Sequence, residues 1–333
     1  MRVAIIGQQA FGKSVLDAFV ARGDEVVGVF CAPEKEGARP DPLRLAAQQL
    51  GVRVVRLPTL RGAVAEEALA ALGADLAVMA YVLQFAPQNF VNVPTHGTIQ
   101  YHPSLLPKYR GPSSINWPVI KGDRQTGLTI FRPTDGLDEG PIVLQKTVEI
   151  GPDDTLGTVY FDRLFPMGVA ALLEAADLVA SGQSHERPQD ETHATYEGWC
   201  RDPEAQINWH AHLDAIYNLI RGCNPSPGAW TTIGGCRVRL FDARKHVARR
   251  LGDVAGKIGE ICAVGDESLQ IAVQGGRLEV FKVRADGGEK MTAAAFAAAA
   301  GLKLGSNVSQ ERGTQCTEPA SVDLAMSGRG SAR

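Results

Sequence analysis

The chain has 333 residues, 44% of them hydrophobic, with 34 Lys and Arg against 37 Asp and Glu for a net charge of -3. That length and composition can bury a large core and predict two domains. The charge gives no global attraction for nucleic acid, and no apolar run approaches the ~20 residues needed to span a bilayer. The chain opens on a strand-like run without a basic and apolar leader, which predicts a cytoplasmic location. The six cysteines, Cys31, Cys200, Cys223, Cys236, Cys262 and Cys316, are scattered with no C-x-x-C pair. Such spacing argues against a zinc site, predicts no metal, and fits reduced thiols.

Arg2 to Ile6 reads as a buried strand, and Phe11 to Val20 carries apolar residues at helical spacing. Between them, Gly7-Gln8-Gln9-Ala10-Phe11-Gly12-Lys13-Ser14 fits the phosphate-binding pattern G-x-x-x-x-G-K-S in the strand-to-helix setting that it requires. Against a nucleotide triphosphatase, the loop holds only two glycines, and no hydrophobic strand ends in an aspartate that could hold magnesium. Alternation continues through strand Glu25 to Phe30, helix Asp41 to Leu50, strand Arg53 to Arg56, helix Gly62 to Leu72 and strand Leu76 to Tyr81. That rhythm predicts an α/β fold: a Rossmann-like, mostly parallel sheet with helices on both faces. Val82-Leu83-Gln84-Phe85-Ala86-Pro87 then puts apolar residues at a strand's C-terminal edge. They either cap the core or wall a pocket.

Thr98 to Tyr101 is a β-favouring run stopped by Pro103, which has no N–H to donate, so His102 is placed just past a strand end. Open α/β sheets bind ligands there. Leu128 to Phe131 is a second such run, and Asp135-Gly136-Leu137-Asp138-Glu139-Gly140 after it can deliver Asp138 to the same crevice. A histidine facing a carboxylate suits nucleophilic attack on a carbonyl, with a proton to move and an oxyanion to stabilise. An ionised Asp138 favours the imidazolium, and the Gln100 amide offers oxyanion donors. The plainer reading is a core or surface histidine beside an ordinary Asp-Gly turn.

Lys108-Tyr109-Arg110-Gly111-Pro112 is a short basic loop, either a solvated turn or an anchor for a substrate. Ser113 is a candidate N-cap for a helix over Ser114 to Lys121 that brings Asn116 and Trp117 near the crevice. Strand Ile142 to Ile150 precedes Asp153-Asp154-Thr155, which opens a helical segment to about Val179. Residues 181 to 205 read as a polar linker, with Gln183 to His193 exposed. A second unit follows, with helix His210 to Ile220 and β-rich runs at Gly228 to Ile233, Cys236 to Phe241, Gly256 to Ala263, Leu269 to Val273 and Leu278 to Val283. Short strands with glycine turns suggest a small barrel. A helix over Thr292 to Gly301 closes it, and from Ser306 the polar, aperiodic chain predicts disorder.

The run Tyr101-His102-Pro103-Ser104-Leu105-Leu106-Pro107, then Arg110-Gly111, Asn116-Trp117 and Asp135-Gly136-Leu137-Asp138, resembles the signature of the 10-formyltetrahydrofolate-dependent formyltransferases. The likeness is greatest to the N-terminal hydrolase domain of 10-formyltetrahydrofolate dehydrogenase and extends to methionyl-tRNA formyltransferase. It begins at Val3 to Gln8 with Phe11-Gly12 and includes Ala194 to Gly198, Ile207 to Trp209 and Pro227 to Trp230. The resemblance implies catalytic roles for His102 and Asp138. It also implies a pterin pocket formed by Leu83, Gln84, Phe85 and Ala86 and closed by the Asp138 loop, with an OB-like barrel as the C-terminal domain. The transferases carry an asparagine two residues before the histidine and the hydrolase domain an apolar residue, whereas this chain has Gln100, an amide one methylene longer.

Domains are accordingly expected at 1–180 (catalytic), 181–205 (linker) and 206–304 (barrel), with a tail over 305–333. The leading function is transfer of the formyl group of 10-formyltetrahydrofolate, the co-substrate, to a nitrogen acceptor on a small molecule; release to water is the alternative. Transfer to tRNA is not favoured, since residues 206 to 312 hold 14 Lys and Arg against 10 Asp and Glu and the loop Ala32 to Arg39 offsets its bases with acids.

Overall fold

A computed structural model describes residues 1–233, 235–248 and 256–308. Strand β1 (Arg2–Gly7) passes through Gln8 alone into α1 (Gln9–Arg22), followed by β2 (Glu25–Cys31), α2 (Pro42–Gln49), β3 (Val54–Arg56), α3 (Ala63–Ala70) and β4 (Leu76–Ala80). After β4 come α4 (Gln88–Val91), β5 (Thr98–His102), α5 (Asn116–Lys121), β6 (Gln125–Phe131) and β7 (Ile142–Glu149). Asp41 starts α2 as the spacing predicts: its carboxylate accepts from the Leu43 and Arg44 amides, with Pro42 in the first turn.

The strands form one sheet in the order β3-β2-β1-β4-β5-β6-β7. Pairing is parallel from β3 to β5 and antiparallel for β6 and β7, which is the expected mostly parallel sheet. Alternation along β1 sends Val3 and Ile5 into a core shared with Phe11, Val15, Leu16 and Phe19 of α1, while Ala4 and Ile6 enter a second core with Leu69 of α3 and Phe90 of α4. Each fully buried side chain of the Leu or Phe class contributes roughly 1.5–3 kcal/mol, so both faces of the sheet are fixed by burial. Strand order reverses at β1, and the ends of β1 and β4 meet so closely that a Cβ on Gly7 would lie 2.1 Å from the Ala80 carbonyl oxygen.

The predicted helix after Thr155 is three pieces: α6 (Leu156–Val159), a π-helical turn at Tyr160–Leu164 and α7 (Phe165–Ala180). Thr155 and Thr158 form a capping box at its start. Helix α5 starts two residues later than predicted, without a side-chain cap, because the Ser113 hydroxyl accepts from the Cys200 amide instead. Residues 181–205 are not a free linker. Arg187 bridges to Ile142 in β7, Tyr196 bridges to Arg110, and Gln189 is buried although its neighbours are exposed.

By its contacts the chain divides into two units, residues 1–205 with 221–227 and residues 206–220 with 228 onward. Helix α8 (Leu213–Gly222) precedes β8 (Ala229–Ile233), β9 (Cys236–Leu240), β10 (Ala243–Val247), β11 (Ile261–Val264), β12 (Leu269–Val273), β13 (Gly276–Val280), β14 (Lys282–Ala285), β15 (Met291–Thr292) and α9 (Ala293–Ala299). These strands make two antiparallel sheets, β10-β13-β12-β11 and β15-β14-β9-β8. β10 escaped the sequence reading because Ala243-Arg244-Lys245-His246-Val247 is polar. It is an edge strand, where charge is tolerated, and His246 pairs with Glu279 of β13 at 2.8 Å.

Ser306 to Val308, where disorder was expected to begin, are ordered: the Ser306 carbonyl accepts from the Ile261 amide, and Val308 is buried. The remainder of the predicted tail, from 309, lies outside the described residues. Cys31, Cys200, Cys223 and Cys262 are free thiols, whereas Cys236 is disulfide-bonded, against the reduced state that the scattered spacing suggested. Among the described residues no helix is long and apolar enough to cross a membrane.

Candidate active site

Residues 99 and 101 of β5 point into the core behind the sheet, where Tyr101 packs on Phe11 with ring centroids 4.5 Å apart. A strand's side chains alternate, so Gln100 and His102 share the opposite face. Both line a cavity of about 440 Å³, a size suited to a small ligand. Its walls come largely from the strand ends the sequence singled out: Met79 of β4 with Tyr81 to Ala86 after it, Gln100 to Pro103 at β5, and Phe131 of β6 with Pro133 to Asp138 after it.

The loop after His102 is tied down by its own polar atoms. Thr129 Oγ1 donates to the Ser104 carbonyl and accepts from the Leu106 amide, and the Gln145 amide holds the Leu106 carbonyl. His102 is buried, and its Nε2 lies 2.8 Å from the main-chain oxygen of Tyr109. A carbonyl can only accept, so Nε2 carries a hydrogen and Nδ1 is the ring nitrogen left for proton exchange. Nδ1 stands 3.6 Å from Asp138 Oδ2, and the same oxygen accepts from the Gly111 amide at 2.9 Å. Gly111 has a φ of +105°, and a Cβ there would lie 2.3 Å from the Glu197 carbonyl oxygen, so this donor requires glycine. Asp138 itself sits at φ +54°, a conformation that non-glycine residues adopt seldom and that clusters at functional sites.

Gln100 lines the same cavity and its amide makes no hydrogen bond among the described residues, leaving it available to a ligand. Of the four predicted pocket residues after β4, Leu83 and Phe85 are exposed large apolar side chains, and Ala86 is buried. Phe85 is held by the Arg61 guanidinium 4.5 Å above its ring. The Gln84 side-chain amide donates to the Leu57 carbonyl at 2.9 Å, which pins the loop to the segment after β3.

The basic loop is not simply a solvated turn: Gly111 and Pro112 line the cavity, and its arginine and tyrosine are buried. Arg110 is fully buried and its guanidinium bonds Glu191, Gln189 and the Tyr196 hydroxyl, while Tyr109 is buried and donates its hydroxyl to Asp123. Asn116 does line the cavity as expected, but Trp117 turns away and donates Nε1 to the Gly198 carbonyl. Three aromatic lining residues were not picked out from the sequence: Tyr81, at φ +63°, Tyr160 and Trp199. Burial pushes the Tyr160 hydroxyl up to about 12, so near neutral pH it can donate a hydrogen bond but not act as a base. No group of three His, Cys, Asp or Glu residues is placed to hold a metal among the described residues.

The P-loop pattern does not form a phosphate loop. Helix α1 begins at Gln9, so six of the eight pattern residues are helical, and Lys13 pairs with Asp17 one turn on.

Known proteins share this fold and sequence pattern. The formyl transferase family model matches residues 1–175, and the model of the formyl transferase C-terminal domain matches residues 201–301. The chain is 46% identical over 248 residues to the cytosolic 10-formyltetrahydrofolate dehydrogenase of Mus musculus, a match that covers 73% of this chain and 27% of that protein. It is 36% identical over 289 residues to methionyl-tRNA formyltransferase of Dinoroseobacter shibae, covering 83% of this chain and 94% of that one. The fold is shared with an N-formyltransferase from Helicobacter canadensis in complex with folinic acid and dTDP-3-aminofucose, at a TM-score of 0.64 and 17% identity over 84% of this chain and 98% of that one. The chain thus spans about a quarter of the length of the dehydrogenases it matches. Fold and family matches together place the chain among formyl transferases. The chain belongs to the formyl transferase family.

Proposed function

We propose that the protein transfers the formyl group of 10-formyltetrahydrofolate to a nitrogen on a small molecule such as an amino sugar, an amino acid or a hydroxylamine. The observation that carries this reading is the convergence of His102 Nδ1, Asp138 Oδ2 and the unengaged Gln100 amide on one cavity. The pterin of the donor rests against Leu83, Gln84, Phe85 and Ala86, with the 135–140 loop opposite. The acceptor nitrogen attacks the formyl carbon, and the carbonyl π pair moves onto oxygen. Gln100 donates a hydrogen bond to that oxyanion, and His102 stabilises it from Nδ1. Collapse of the tetrahedral intermediate breaks the bond to N10 of the folate. The proton lost by the attacking nitrogen passes through His102 and Asp138 to N10, which leaves as the neutral amine of tetrahydrofolate.

The fold shared with the Helicobacter canadensis N-formyltransferase, solved in complex with dTDP-3-aminofucose, supports a small-molecule acceptor. The 46% identity to a 10-formyltetrahydrofolate dehydrogenase supports a second reading, in which water replaces the amine and formate is released. Transfer to tRNA is less well supported: in the 32–39 loop Glu34 and Glu36 balance Lys35 and Arg39, so the loop itself carries no net charge for phosphate. We read residues 1–180 as the catalytic domain, 181–205 as a segment docked on it, and the following unit as an OB-like barrel.

Purified protein given 10-formyltetrahydrofolate is expected to release tetrahydrofolate slowly alone and much faster with the right member of a panel of amine metabolites. Rapid turnover in plain buffer that no amine accelerates would move the assignment to the hydrolase.

A further inference from the structure

Asp138 is held at both of its ends, and both holds trace back to three consecutive residues. Tyr109 offers its carbonyl to His102 Nε2, and Gly111 donates its amide to Asp138 Oδ2. Arg110, between them, is fully buried and donates to Gln189 Oε1 through Nε at 3.2 Å and Nη2 at 2.8 Å. The Gln189 amide nitrogen then spends both of its hydrogens on the active-site loop, at 2.8 Å from the carbonyl of Asp138 and 2.8 Å from that of Gly140. The first of these carbonyls belongs to the residue at φ +54°, and the second lies two residues further on. A left-handed backbone at a non-glycine residue persists only where its surroundings over-determine it. Gln189 is the buried residue of an otherwise exposed run, a cost that its four hydrogen bonds offset.

We infer that Gln189, anchored by the buried Arg110, is a positioning residue that sets where the Asp138 carboxylate stands relative to His102 Nδ1, and so governs proton transfer rather than folate binding. This rests on the reading of His102 and Asp138 as the reacting pair. Glu191 shares the same arginine, at 2.6 Å from Nη2, but touches neither Asp138 nor Gly140. The two partners of Arg110 can therefore be separated by substitution.

The test uses the full chain, Gln189→Glu and Glu191→Gln. Gln189→Glu keeps an acceptor for Arg110 but turns both donors to the loop into a group that repels the carbonyls. Its melting temperature and its affinity for tetrahydrofolate, measured by calorimetry, should stay near wild type. Turnover of 10-formyltetrahydrofolate should fall on the order of 10- to 100-fold, the loss produced by a misplacement of about 1 Å. The Nδ1 15N resonance of His102, identified by its absence in His102→Gln, should move, while Glu191→Gln leaves resonance and turnover in place. The resonance needs no acceptor and no turnover, so it tests the positioning even if the formyl-transfer reading fails. An unmoved resonance in Gln189→Glu, or equal losses of turnover and folate affinity in the two variants, would overturn the inference.

Discussion

With its Nε2 hydrogen committed to the Tyr109 carbonyl, His102 can exchange a proton only at Nδ1, and Asp138 Oδ2 is the acid–base group facing that atom. In the proposed mechanism the two side chains therefore work as one unit. His102→Ala and Asp138→Asn are each expected to lower turnover on the order of 100- to 1000-fold, typical of losing one preorganised group, with folate affinity kept by the apolar loop after β4. Their double variant should lose little more than either single one, because residues acting as a unit are not additive. Gln100→Asn should preserve or raise transfer, and Gln100→Ile should depress transfer relative to hydrolysis. Steady-state kinetics with folate affinity measured alongside decides this, and near wild-type turnover in His102→Ala would place the catalytic centre elsewhere.

At the scale of elements, α1 shows how context overrides a motif. A phosphate loop needs several consecutive amides free to face a ligand. Here the strand-to-helix turn is one residue long, the Gln9 amide is taken by Asp41 Oδ2 at 2.8 Å, and the Gly12 amide bonds the Gln8 carbonyl. Lys13 lies half exposed on the outer face of α1 beside Asp17, a pair of the kind contributing about 0.3–0.5 kcal/mol. Lys13→Ala should leave folate turnover intact, and calorimetry should show no ATP binding by either protein. ATP affinity that disappears in the variant would reinstate the motif.

For the molecule as a whole, alkaline pH is the informative axis. Burial, then the carboxylates of Asp41 and Glu34, raises the Cys31 thiol from 9.0 to about 11. A thiol whose folded value lies above its unfolded one adds stability that is fully present below about pH 9 and is lost as pH climbs through about 11. Above pH 9 the unfolded chain gains by ionising the thiol while the folded chain keeps it neutral. The melting temperature is expected to fall between pH 9 and 11 more steeply in the wild type than in Cys31→Ala, whose stability near pH 7 should be lower by a modest cavity cost. Parallel melting curves across that range would show that the thiol is not the cause. The half-buried Tyr160 hydroxyl, raised to about 12 by desolvation, extends the same trend to higher pH.

The sequence by itself determined whatever local chemistry writes into neighbouring residues. The apolar strand runs, the start of α2 at Asp41, the proline after His102 and the Asp-Gly turn before Asp138 could each be read within a few positions, and so His102, Asp138 and the 83–86 loop could be named as neighbours, and they line one cavity. Tertiary structure alone decided what depends on contacts between residues far apart in the chain. Arg110 carries the charge of a surface residue, yet it is buried because Gln189 and Glu191, about 80 positions later, satisfy its guanidinium. Tyr81, Tyr160 and Trp199 carry no linear signal of a shared cavity, and neither does the amide of Gln189, whose polar, proline-flanked run reads as a linker. A buried polar group is stable only when its partners are in place, and those partners exist only once the chain has closed over them.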